Sequence, residues 1–235
     1  MKKIISYGAY LVEREKLRRK RPRTVRLEPL AEIPIEDAVC FSCGAQLHKS
    51  ELYQRYRVCE VCGFHHNISA WERIYLLADP DSFQFLDLAG AISDPSPFMG
   101  DEVYRERLAE AQERTGLSEA ILTGICTIGG NPTVIAALDF AFLGGNMGMV
   151  VGDRIARAFE EAIKQNLPVV TVVSSAGGRI EEGVLSLVQM AKTVVVAQRL
   201  ARQNLPHISV LTHPTTGEAY ASFANMGDVI FAEPG

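Results

Sequence analysis

Four of the five cysteines sit in two short pairs, Cys40-x2-Cys43 and Cys59-x2-Cys62, with 15 residues between the pairs. Each pair sets two sulfurs on one tight turn, and the link lets the second turn fold back on the first. Four thiolates can then close a tetrahedron, the arrangement that holds a structural zinc. Such a shell leaves no open position, so no chemistry is expected at the metal. Gly44 and Gly63 each follow a second cysteine, where the turn needs a permissive backbone. His65 and His66 lie just beyond and are expected to pack or hydrogen-bond on the ribbon. Cys126 has no paired cysteine and reads as a small core residue.

Two glycine-rich turns offer chemistry of another kind. One is Leu143-Gly144-Gly145-Asn146-Met147-Gly148, and the other is Ser175-Ala176-Gly177-Gly178-Arg179. Each lies between a strand-like and a helix-like run. Neither is a phosphate-binding P-loop or a dinucleotide GxGxxG, and no GxSxG elbow occurs. Small residues let a ligand approach the main chain, and amides at the start of a helix point outward with partial positive charge. Two such amides can hold a developing enolate or oxyanion without any titrating side chain.

The elements that must position these turns follow from periodicity. Residues 69–80 read as a helix with Ser69 as cap, Glu72 three positions on and Pro80 beyond the end. Residues 102–115 form a second helix, closed by Gly116. Residues 120–140 read as two strands joined by a Gly-Gly-Asn-Pro turn. A long helix (147–166), a buried strand (168–175), a second long helix (181–204), a strand (207–213), a short helix (215–227) and a last strand (228–234) complete the chain. Strands alternating with helices argue for parallel pairing with right-handed crossovers. Both a doubly wound sheet and stacked ββα turns satisfy that pattern.

The chain of 235 residues is 47% hydrophobic and 22% charged, so it can bury a core without disulfides. It has no apolar run of membrane-spanning length and no secretory signal pattern, so a cytoplasmic protein without a membrane partner is expected. The net charge of −4 is unevenly spread. Residues 1–26 hold ten Lys and Arg against two Glu, while the other residues hold 14 Lys and Arg against 26 Asp and Glu. The basic segment reads as a solvated, flexible arm, with RNA or an acidic partner as the other reading. Three parts are expected: an arm over 1–36, a zinc ribbon over 37–67 and an α/β domain over 68–235.

Taken together, the motifs resemble the β subunits of the carboxyltransferase of bacterial acetyl-CoA carboxylases. The likeness rests on the four-cysteine ribbon, on Asp139-Phe140 followed by the first glycine turn, on Gln189-Met190-Ala191-Lys192-Thr193, on Pro214-Thr215-Thr216-Gly217, on Ala221-Ser222-Phe223-Ala224 and on Ala232-Glu233-Pro234. It covers about residues 38–234. The resemblance implies a crotonase-like (ClpP/crotonase) spiral of ββα units behind a zinc ribbon. It implies transfer of a carboxyl group from carboxybiotin to acetyl-CoA, giving malonyl-CoA. Biotin would ride on a separate biotin carboxyl carrier protein, charged by biotin carboxylase. A carboxyltransferase α subunit would complete an α2β2 assembly with the active site between subunits. The amides of Ala176, Gly177 and Gly178 would then face the thioester enolate. Gly144, Gly145, Met147, Gly148, Arg179, Gly217 and Glu218 would line the substrate.

The chain departs from the family pattern in three places. The usual SGGAR stands here as Ser175-Ala176-Gly177-Gly178-Arg179, the usual PTTGG ends on Glu218, and His213 replaces the usual Asp before Pro214. The family's chains also run on past this point, so a continuation or a partner is expected to cover the last strand. Two further functions fit these departures. One is a divergent acyl-thioester enzyme of the same fold, a malonyl decarboxylase or a hydratase-like protein, using Glu218 or His213 as acid or base. The other is a non-catalytic partner or regulatory subunit, with the basic arm and the zinc ribbon binding RNA or a partner.

Overall fold

The computed structural model describes residues 38–86 and 102–234. The basic arm, and with it the RNA contact expected there, lies outside the described residues.

A single six-stranded sheet organises the larger part of the chain. Its strands are β1 (Gln84–Phe85), β2 (Ile121–Ile128), β3 (Asn131–Leu138), β4 (Val169–Ser175), β5 (His207–Thr215) and β6 (Val229–Ala232). They lie in the order β1-β2-β3-β4-β5-β6. The first three pair antiparallel and the rest parallel. A doubly wound sheet reverses its strand order part-way. This one advances steadily, so the generic doubly wound alternative does not hold.

With crossovers of one hand, a steady order stacks the crossover helices on one face. Helices α4 (Met149–Gln165) and α5 (Val184–Arg202) do lie side by side. Gly152 faces Gln189 so closely that a Cβ there would come within 2.4 Å of its amide oxygen. Asp153–Lys192 at 2.6 Å and Glu160–Arg199 at 3.1 Å extend the contact. By length and composition alone α5 could span a bilayer. Here its Ser186, Gln189, Thr193, Val196, Ala197 and Leu200 are buried against the rest of the protein.

The hairpin forms as expected, with Gly129 and Gly130 at its turn, both at positive φ. Asp79 pins it by accepting the Gly129 and Gly130 N–H groups at 3.0 and 2.8 Å. Helix α2 (Ala70–Leu77) has the predicted capping box between Ser69 and Glu72. Asp139, at the end of β3, accepts the Ala70 N–H at 2.8 Å and so caps the same helix from 69 residues away. Helix α3 (Glu102–Thr115) ends where Gly116 turns left-handed.

The cysteine ribbon has its own small core of Ala38, Cys40, Leu47, Tyr53 and Cys59. A short helix, α1 (Glu51–Tyr56), fills the link between the knuckles, with Ser50 capping Tyr53 N–H at 3.2 Å. The two knuckles repeat one pattern. Gly44 N–H donates to Cys40 O and Cys40 N–H to Ala45 O, just as Gly63 N–H donates to Cys59 O and Cys59 N–H to Phe64 O.

Candidate active site

The two glycine turns lie zipped together as one structure. Ala176 N–H donates to Gly144 O at 2.8 Å, Met147 N–H to Gly177 O at 2.8 Å and Arg179 N–H to Met147 O at 3.0 Å. The register of β4 against β5 slips between Val173 and Ser175. Such irregularities re-aim a strand end, and here the chain leaves the end of β4 to meet the first turn. Gly145 is pressed against this join. It has φ +63°, and a Cβ would lie 2.0 Å from Ser174 O.

This zipper sorts the expected donors. The Ala176 amide is committed to Gly144 O and is not free. Gly177 N–H rests on Ser175 Oγ at 3.1 Å. Gly178 N–H has no acceptor among the described residues, because only its neighbours take part in the bridge to Met147. Of the three expected donors, Gly178 therefore offers the open amide.

Arg179 was expected against substrate, and the structure places it elsewhere. Its side chain is only 1% exposed. Its guanidinium grips the Glu119 carboxylate with two bonds of 2.6 and 2.8 Å. It also donates to Asn146 O at 3.1 Å and lies 5.8 Å from the centre of the Phe142 ring. Burial works against its charge, but the Glu119 carboxylate more than offsets this and raises its pKa. Arg179 therefore clamps the two turns from behind.

Glu182 completes this buried layer. It accepts from the Tyr104 hydroxyl at 3.0 Å and, through its other oxygen, from the Met149 N–H at the start of α4. Gly148 leaves room for that carboxylate, since a Cβ would lie 2.3 Å from it. Met147 is fully buried, so its side chain packs in the core rather than lining a surface. Gly144 is half-buried beside Ala176.

The Pro214–Gly217 stretch closes the other side. Thr216 N–H donates to Ser175 O at 2.9 Å. Gly217, at φ +58°, packs on Gly177, where a Cβ would lie 2.7 Å from Gly177 Cα. Glu218 follows at the start of α6 (Gly217–Tyr220), and its carboxylate lies against Gly178 and accepts from Ser186 Oγ at 2.8 Å. His213 contacts the cysteine ribbon. Its ring packs edge-on to Phe64 at 5.3 Å and so docks the ribbon on the domain.

The cysteine cluster fits a metal. Four sulfurs about 2.3 Å from one centre would lie about 3.8 Å apart. Cys40–Cys62 and Cys43–Cys59 are separated by 3.6 and 3.7 Å, and all four sulfurs fall within 4.8 Å of one another. His65 Nδ1 bonds Gly63 O at 2.9 Å, and His66 packs between the Tyr53 and Phe64 rings. Cys126 is buried in β2, and burial pushes its thiol up to about 11, which suits a core residue.

Comparison with known proteins decides the family. The sequence pattern of the carboxyl transferase domain matches residues 67–233. The chain belongs to the carboxyl transferase domain family. The acetyl-coenzyme A carboxylase carboxyl transferase subunit beta of Thermus thermophilus is 46% identical over 218 residues. That match covers 93% of this chain and 75% of the relative. The protein of the same name from Synechococcus sp. (strain JA-3-3Ab) is 47% identical over 196 residues, covering 83% of this chain and 62% of the relative. Among solved structures, transcarboxylase 12S with hydrolysed methylmalonyl-coenzyme A bound superposes with a TM-score of 0.57 at 25% identity. It matches 71% of this carboxyl transferase chain and 30% of its own. A Pseudomonas malonate decarboxylase hetero-tetramer shares the fold, with a TM-score of 0.54 at 24% identity over 70% of this chain and 58% of its own. The fold is the crotonase-like one of these carboxyltransferases.

Proposed function

We propose that this chain is the β-subunit portion of an acetyl-CoA carboxylase carboxyltransferase, moving a carboxyl group from carboxybiotin to acetyl-CoA. The observation that carries the reading is the open Gly178 amide on the zipped turns, in a chain 46% identical to a named β subunit. The thioester oxygen would sit on Gly178 N–H, with Gly177 N–H beside it. As the α-carbon loses its proton, charge gathers on that oxygen and the fixed amide meets it. Loss of one such donor costs about 2.7–4 kcal/mol of barrier. Gly144 and Gly217 would form the walls, because only small residues let the ligand reach the main chain.

Partners and metal follow from the same reading. Ile180 (85% exposed), Val184, Leu187 and Val188 leave an apolar surface at the start of α5. Val229, Ile230 and Phe231 leave another on the edge strand β6. Exposed apolar surface of this kind marks interaction sites. An α subunit in an α2β2 complex fits it, served by a biotin carboxyl carrier protein and biotin carboxylase in the cytoplasm. The four cysteines would hold a structural zinc in a ribbon over 37–67, ahead of the transferase domain over 68–235 and behind the arm over 1–36.

The test is reconstitution. The chain, an α subunit, the carboxylated carrier and acetyl-CoA should yield malonyl-CoA by mass spectrometry, and omitting the carrier or the α subunit should abolish it. A complete mixture that binds acetyl-CoA yet forms no malonyl-CoA would overturn the reading.

A further inference from the structure

We propose that Glu218 is a catalytic base that removes and returns a proton at the α-carbon of the bound acyl thioester. The inference rests on the acyl-thioester site proposed above. Its starting point is the place of the carboxylate. A Cβ built on Gly178 would lie 2.0, 2.1 and 2.2 Å from Glu218 Cδ, Oε1 and Oε2. Glu218 thus fills the side-chain space of Gly178, and any larger residue at 178 would expel it. The two departures from the family pattern, glycine at 178 and glutamate at 218, are one structural unit.

The carboxylate lies against the Cα of Gly178 and makes no hydrogen bond to its N–H. The amide stays open for a ligand oxygen while a base stands beside it. A thioester carbonyl on that amide puts the α-carbon one bond beyond the carbonyl carbon, at the same turn as the carboxylate.

The surroundings suit a group that alternates between two protonation states. Ser186 Oγ lies 2.8 Å from Glu218 Oε2 and 2.9 Å from Met147 O, and it accepts Arg179 N–H at 3.1 Å. The hydroxyl has one hydrogen for two acceptors. With Glu218 ionised, the hydroxyl donates to Oε2. With Glu218 protonated, the carboxyl donates to Ser186 Oγ, and the hydroxyl turns to Met147 O. Both states are accommodated without moving a heavy atom. Glu218 Oε1 has no partner among the described residues, and the side chain is only half-buried, so it can reach a substrate and exchange with solvent.

The step balances. The α C–H bond breaks, its electron pair forms the C=C bond of the enolate, and the carbonyl pair moves onto oxygen. The proton passes to Glu218. The carboxylate loses its charge as the oxygen gains one, so the negative charge moves from Glu218 to the Gly178 amide. Return of a solvent-exchanged proton regenerates the thioester.

The experiment is deuterium exchange into the acetyl group of acetyl-CoA in D2O, using the chain assembled with its α subunit and no biotin carrier. The same preparation is assayed with carboxylated carrier for malonyl-CoA. Exchange should occur in the wild type and fall at least about a hundredfold in Glu218→Gln, with acetyl-CoA binding retained. Gly178→Ala, which displaces the carboxylate while keeping the amide, should lose exchange too. Wild-type exchange that persists in Glu218→Gln overturns the proposal, and so does a wild type that does not exchange. Glu218-dependent exchange without malonyl-CoA in the complete mixture would keep Glu218 as the base and overturn the carboxyltransferase reading instead.

Discussion

Arg179→Met removes the guanidinium behind the zipped turns and keeps most of the stem. The Glu119 carboxylate then loses both arms of a bidentate contact, 2.6 and 2.8 Å long. The side chains of Arg179 and Glu119 are 1% and 2% exposed, so water cannot replace what is lost. Breaking one partner of such a buried pair costs about 3–5 kcal/mol. Native proteins are stable by about 5–15 kcal/mol, so the loss is a large fraction of the whole. With an m-value of about 2 kcal/mol/M, the urea midpoint should fall by about 2 M. The guanidinium also lies 3.5 Å from the buried Glu182 carboxylate, so Glu119→Gln removes the nearer of two stranded charges and should restore part of the loss. The assay is urea unfolding followed by circular dichroism on wild type, single and double variants. A single variant within about 1 kcal/mol of wild type, or a double variant no better than the single, would refute the clamp.

Three further outcomes follow. Gly145→Ala should abolish activity and lower stability, because its Cβ meets Ser174 O and its φ is positive; a fully active variant counts against the zipped geometry. Stripping the metal with a strong chelator should open the ribbon to proteolysis within 38–66 while the α/β signal persists, and a zinc assay should first find one ion per chain. Burial holds His207 down at about 4, against an ordinary 6.5. Between those values only the unfolded chain takes up the proton, so stability is intact above pH 6.5 and falls by about 3 kcal/mol as the pH drops to 4. His207→Gln should flatten that part of the stability curve, and an unchanged curve would contradict it.

Local signals made much of this fold legible. The Ser69–Glu72 box, the Gly129-Gly130 turn and the Gly116 stop act within a few residues, so the sequence displays them. The cysteine spacing showed which four sulfurs the fold gathers within 4.8 Å of one another, because two tight turns set each pair. Contacts between distant segments were not legible. Glu119 precedes β2 in an ordinary polar stretch, and only the fold carries it 60 residues to Arg179. The family resemblance put Arg179 at the substrate, yet its side chain turns inward to the buried Glu119 carboxylate. The zipper between the two turns likewise depends on the sheet bringing β3 and β4 side by side. Asp139 showed itself as part of a motif, but its role as a cap for α2 needed the tertiary contact. The link between Gly178 and Glu218 could be seen only once their atoms were placed.

The central claim is that Gly178 N–H receives the thioester oxygen. Infrared difference spectroscopy of acetyl-CoA labelled with 13C at the carbonyl, bound to the chain with its α subunit, tests it most directly. The account predicts a C=O stretch moved to lower frequency on binding, with the displacement kept in Gly178→Ala, which expels Glu218 but retains the N–H, and reduced in Gly178→Pro, which lacks it. A bound thioester whose carbonyl stretch matches that in water, or one equally displaced in Gly178→Pro, would contradict it.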